Sequence, residues 1–223
     1  MERGKDRRVM VELEIDAREP LSAEVIARVA AACERVEDEG GILRVHLRDR
    51  GAYFEEPEVG VHTVNQWERI LRRLERLPAP TLAVVHGYCA GLALEVLLAT
   101  DYRIAAADAR LRVPVRPDGT WPGMALYRLA NQIGVAQVRR LALFGMEIDA
   151  HRATGLGLVD EVGGLADLTR TALAVLGGVS GKELAIRRRL LLDATTTSYE
   201  DALGAHLAAC DRAVRQAWEG VVA

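Results

Sequence analysis

The stretch Ala79-Pro80-Thr81-Leu82-Ala83-Val84-Val85-His86-Gly87-Tyr88-Cys89-Ala90-Gly91-Leu92-Ala93-Leu94-Glu95, running on to Ala99-Thr100-Asp101-Tyr102-Arg103-Ile104-Ala105, decides the fold. Pro78 and Pro80 end the helical pattern before it, because proline lacks an N–H and clashes with the preceding turn. Thr81 to His86 is apolar without alternation, the pattern of a strand covered on both faces, as in a helix-flanked parallel sheet. A glycine-marked turn leads into a short helix over Gly91 to Ala99, whose first amides have no internal acceptor and can hold an anion. Glu95, about one turn into that helix, is placed to exchange a proton with a ligand bound there. The same carboxylate could also do no more than complement the helix dipole.

Outward from this segment the chain alternates strands and helices. Val9, Val11, Leu13 and Ile15 alternate with mostly polar residues and predict a strand with one wet face. Val25, Ile26, Val29, Ala30, Cys33 and Val36 recur at helical spacing behind Pro20 and Ser22, up to Gly40-Gly41. Ile42 to Leu47 returns to strand, Gly51 to Gly60 reads as an acidic loop, and a helix is expected from about Val64 to Leu77. Tyr102 to Ala106 and Leu111 to Val115 read as strands. Beyond Pro122-Gly123 helices are expected near 124–132, 136–144, 165–176, 181–192 and 199–218.

The 223 residues are half hydrophobic, with a net charge of −3, which disfavours both disorder and a polybasic nucleic-acid binder. His86, the turn and Glu95 interrupt the most apolar region, 81–99, so no membrane span is expected. The charged N-terminus lacks the apolar core of a secretory signal, and a cytoplasmic location is expected. Cys33, Cys89 and Cys210 are too widely spaced for a metal knuckle or a disulfide framework.

The 79–105 stretch resembles the signature of the enoyl-CoA hydratase/isomerase (crotonase) superfamily, with its Pro-led buried strand, Gly-Tyr turn, small-residue helix start, Glu, and Asp-x-Arg-Ile strand. In the same order follow Asp108-Ala109-Arg110-Leu111, Pro114, Pro122-Gly123, Gly134 through Arg140, Gly145, and the run from Ala150 containing Gly155-Leu156-Gly157-Leu158-Val159-Asp160-Glu161-Val162. The resemblance covers roughly residues 9 to 164. It implies an α/β fold, a spiral of ββα units over 1–163, with a helical oligomerisation region over 164–223 that builds a homotrimer or hexamer. It also implies an acyl-CoA thioester as ligand, with coenzyme A part of the substrate and no separate cofactor or metal.

In this family two backbone N–H groups hold the thioester enolate. The resemblance assigns one to Leu92, beside Gly91, where glycine is usual, and makes Glu95 the first acid/base carboxylate. The second carboxylate should follow Pro114, but Val115 stands there. Asp118 could substitute, or be a solvated turn residue before Gly119. The second N–H should come from a loop of which Phe54 alone matches; Pro57 has no N–H, and Glu55, Glu56 and Glu58 read as an exposed acidic loop. Trp121 either lines the acyl pocket or caps the core.

His86 reads as a core or turn histidine, His62 and His151 as surface residues, and Cys89 as a buried filler without a histidine partner. One remaining carboxylate suits dehydration of a β-hydroxy thioester or a double-bond shift. The short chain and both departures are similar to the small hydratase-like proteins that work with a type III polyketide synthase toward 3,5-dihydroxyphenylacetyl-CoA. The implied function is dehydration and aromatisation of a polyketide-CoA intermediate. The alternatives are a degenerate accessory subunit of a synthase and a general enoyl-CoA hydratase.

Overall fold

The computed structural model describes residues 9–51, 59–116, 119–120 and 123–222, with backbone only at 116, 119–120 and 216–222. The elements in chain order are β1 (Met10–Asp16), α1 (Ala23–Glu39), β2 (Ile42–Arg48), α2 (Val61–Leu74), β3 (Thr81–His86), β4 (Tyr88–Ala90) and α3 (Gly91–Leu98). There follow β5 (Tyr102–Ala105), β6 (Arg110–Arg112), β7 (Val115–Arg116), β8 (Gly119–Thr120), α4 (Ala125–Ile133) and α5 (Val135–Phe144). The chain continues through β9 (Ile148–Asp149), α6 (Ala150–Gly155), β10 (Glu161–Val162), α7 (Leu165–Gly177), α8 (Gly181–Asp193) and α9 (Tyr199–Val222).

The main sheet has the order β1-β2-β3-β5-β10 and is parallel throughout. A second sheet, β4-β6-β9, stands beside it, and β7 and β8 form an antiparallel pair. The expected α/β fold is observed. Its register follows from side-chain alternation. Val11, Leu13 and Ile15 of β1 and Val45 and Leu47 of β2 enter the main core beneath α1, α2 and α3. The opposite face is covered over β3 and β5 by α7, whose Ala172 and Leu176 pack on Ile42, Leu82, Val84 and Ile104. Where no helix covers that face, charges take over, as Arg44 pairs Glu12 and Arg50 pairs Glu14. His46 joins this surface with Nδ1 3.0 Å from His86 Nε2.

The helices start and stop for local reasons. Ser22 caps α1 by accepting the Val25 N–H at 3.3 Å. At its other end Gly41, at φ 99°, passes so close to Val9 that a Cβ would meet that carbonyl oxygen at 2.0 Å. Helix α3 is buried on every side and so runs through the middle of the core.

Helix α8 buries no residue, yet it is fastened to the body. Arg188 pairs both oxygens of Asp101 at 2.6 Å and donates to the carbonyls of Glu75, Leu77 and Ala79. Asp101 also accepts the backbone N–H and hydroxyl of Thr81, and Arg103 donates to the carbonyls of Leu98 and Thr100. The Asp-x-Arg-Ile strand is thus a structural rivet joining β3, β5, α3 and α8. Leu191, Tyr199, Leu203 and Leu207 on α8 and α9 remain exposed. No described helix is long and apolar enough to cross a membrane.

Candidate active site

Strand β3 is followed by Gly87, at φ 76°, which turns the chain into β4 and then α3. The N-cap of α3 is Ala90, in extended conformation, and it offers no side chain to the first amides. The N–H groups of Gly91 and Leu92 are therefore free of helical acceptors, as an oxyanion site requires. Gly91 takes φ 52°, a conformation suited to glycine. The Leu92 side chain is fully buried in the core.

Glu95 lies in the same helix and is entirely buried. Its Oε2 accepts the indole N–H of Trp67 at 2.5 Å. Its Oε1 has no hydrogen-bond partner among the described residues. That oxygen faces Gly123, where a Cβ would lie 1.9 Å away. Burial pushes the Glu95 carboxyl up to about 7 from its ordinary 4.5; the Trp67 hydrogen bond opposes this, the charge of Glu68 adds to it, and Arg128 and the nearby Ala125 amide ease the anion. A group so poised can hold or release a proton near neutral pH.

Around this carboxyl stands a charged frame with no precedent in the sequence reading. Glu68 accepts the Met124 N–H at 2.7 Å and pairs Arg128 at 2.9 Å. Arg128 is buried and also pairs the buried Glu75 at 2.7 Å. Glu68, Gly123, Met124, Tyr127, Arg128 and Asn131 help line a cavity of about 710 Å³ between α2, α4 and the end of α8. Gly123 thus has the Glu95 carboxyl against it and borders this cavity.

Of the residues singled out from sequence, the structure brings together Gly91, Leu92 and Glu95 on α3. Phe54, Asp118 and Trp121 lie outside the described residues, as do residues 55–58 of the acidic loop. Val115 is about half exposed in β7. His86 sits on the sheet face bearing Leu82 and Val84, away from α3, and burial and neighbouring charges lower it to about 4. Cys89 is a fully buried filler whose thiol burial pushes strongly up, and His62 and His151 are exposed. Trp67, Glu68, Arg128 and Gly123 were missed as a group. Pro122-Gly123 belongs to the family motif, but nothing in helical spacing links residue 67 to residue 95.

Comparison with known proteins shows the family of the chain. Residues 51–217 match the family model for enoyl-CoA hydratase/isomerase. A relative from Amycolatopsis orientalis described as "Enoyl-CoA-hydratase" is 44% identical over 207 residues, covering 92% of this chain and 95% of that protein. The chain belongs to the enoyl-CoA hydratase/isomerase family and is a hydratase-like enzyme of it. The fold matches the enoyl-CoA hydratase/isomerase from Marinobacter aquaeolei at a TM-score of 0.77 and 20% identity, covering 95% of this chain and 90% of that one. It matches the one from Cupriavidus metallidurans CH34 at 0.78 and 22%, covering 92% and 84%.

Proposed function

We propose that this enzyme dehydrates a β-hydroxyacyl-CoA thioester, with Glu95 as its single acid/base group and the Leu92 N–H as one oxyanion donor. The observation that carries this reading is the buried Glu95 carboxyl, with one oxygen tied and the other without a hydrogen-bond partner among the described residues, on the helix whose free amides would hold the thioester oxygen. Oε1 takes the α-proton, the electrons move to the thioester oxygen as an enolate, and the enolate expels the β-hydroxyl. The proton on Glu95 leaves with that hydroxyl as water, so the carboxylate is regenerated. Coenzyme A enters as part of the substrate and the reaction needs no further cofactor.

The finer reading is a polyketide-CoA intermediate, dehydrated and aromatised toward 3,5-dihydroxyphenylacetyl-CoA in partnership with a type III polyketide synthase. Its support is Val115, an exposed apolar residue where a hydratase of this family would carry its second carboxylate. The exposed leucines of α8 and α9 support a trimer or hexamer. We place the enzyme in the cytoplasm, on its sequence alone.

The test is Glu95→Gln in a reaction reconstituted with the synthase and malonyl-CoA. Loss of the aromatic product with the protein still folded is expected. Unchanged product would overturn the catalytic reading and favour a non-catalytic accessory subunit. The name of the Amycolatopsis relative favours a second reading, a general hydratase. Rapid hydration of crotonyl-CoA by the purified enzyme, the reverse of dehydrating 3-hydroxybutyryl-CoA, would establish it against the polyketide-specific reading.

A further inference from the structure

Trp67 and Glu68 are consecutive on α2, and both act on the Glu95 carboxyl from outside its own helix. Trp67 is fully buried, and its indole N–H donates to Oε2 at 2.5 Å. Glu68 accepts the Met124 N–H at 2.7 Å and so anchors the backbone that carries Gly123 against Oε1. The last torsion of a glutamate is soft, so a carboxyl held only by packing can exchange its two oxygens. A hydrogen bond to one oxygen removes that freedom. An indole N–H is a donor and never an acceptor, so Trp67 cannot take over the proton itself. What it can do is choose the oxygen.

We propose that Trp67 is a positioning residue for Glu95, its indole N–H holding Oε2 so that Oε1 is the oxygen that exchanges a proton with the substrate. This rests on the reading of Glu95 as the acid/base group. Two consequences follow from the bond. A carboxylate accepts an N–H more strongly than the neutral acid does, so Trp67 favours the ionised form against burial and the charge of Glu68. Removing the N–H should therefore make Glu95 harder to ionise. The bond should also report the charge of Glu95 in the indole proton itself.

Two measurements on the full-length protein test this. The sequence has three tryptophans, so the ¹⁵N-labelled protein should give three indole N–H signals, and the one absent from Trp67→Phe belongs to Trp67. In the wild type that signal is expected to titrate once near pH 7 and to stay still in Glu95→Gln. A Trp67 signal that does not move between pH 5 and pH 9 overturns the proposal, whether or not the Phe variant folds well enough for kinetics. The second measurement is α-proton exchange of 3-hydroxybutyryl-CoA in D₂O. Trp67→Phe should lower kcat about tenfold or more with little change in KM, and move the acid limb of kcat about one to two pH units upward. An acid limb in its wild-type place overturns the positioning role. Full exchange by Glu95→Gln would instead overturn the reading of Glu95, so the two failures are distinguishable.

Discussion

Replacing Glu95 by glutamine should stabilise this protein, by an amount that grows with pH. The carboxyl has no exposed surface, and burial is the largest cause of its rise from 4.5 to about 7. Between those values the folded chain keeps a proton that the unfolded chain gives up. The stability tied to the protonated group is therefore fully present below about pH 4.5 and is lost as the pH rises through 7. At about 1.4 kcal/mol per unit, the whole displacement is on the order of 3 kcal/mol. Glutamine has the shape of the neutral acid, and its amide oxygen can still accept the Trp67 N–H, so the variant removes the titration and leaves the packing.

Urea unfolding of both proteins at intervals from pH 5 to pH 9 measures the effect. The advantage of the variant should be small at pH 5 and grow by roughly 2–3 kcal/mol toward pH 9. His46 and His86, both lowered by burial, add their own pH dependence, but equally in both proteins, so it cancels in the difference. Parallel stability curves, or a variant less stable than the wild type at pH 8, would refute the placement of Glu95 as a desolvated acid. The expected gain is the usual signature of a group kept for chemistry at the expense of stability.

Gly123→Ala would put a Cβ 1.9 Å from Glu95 Oε1 on a backbone at φ 155°, so a loss of about 1–3 kcal/mol and of α-proton exchange is expected. Wild-type melting and turnover would contradict the contact. Arg188→Ala removes the bonds from α8 to Asp101 and to three carbonyls, while Asp101 keeps those from Thr81, and hydrogen exchange should show Gly181–Asp193 losing protection while the β3 amides keep theirs. Uniform loss, or none, would mean that α8 is not held by this rivet. His86 is held near 4, below its ordinary 6.5, so it contributes stability that is present above 6.5 and is lost as the pH falls through 4. His86→Gln should flatten that acid limb in thermal melts; an unchanged limb would count against the burial that holds His86 neutral.

Much of the fold was legible because periodicity is a local signal. Alternation marked β1, the apolar run marked β3, and helical spacing with Ser22 at its head marked α1. Helix α2 starts at Val61, three residues before the expected Val64, since Gly60 serves as its cap. Strand β4 was read as part of a turn, because three residues become a strand only through pairing with β6, 22 positions away in register from Tyr88 to Arg110. The single strand expected over 111–115 is divided between β6, which pairs with β4, and β7, which pairs with β8. The two-residue strands β9 and β10 have too little sequence to show a period at all.

At the site, the sequence by itself determined the family, the helix that bears Glu95 and the free amides at its start, because these lie within one continuous motif. By resemblance it also placed Val115 at the position where the family's second carboxylate is expected. Only the tertiary structure decided how Glu95 is held. Trp67 and Glu68 reach it from α2 and Gly123 from the segment before α4, and such contacts depend on how separate elements pack. The burial that sets the proton affinity of Glu95 comes from that same packing. A linear motif names the carboxyl, but the work of taking it out of water is done by residues far from it in the chain.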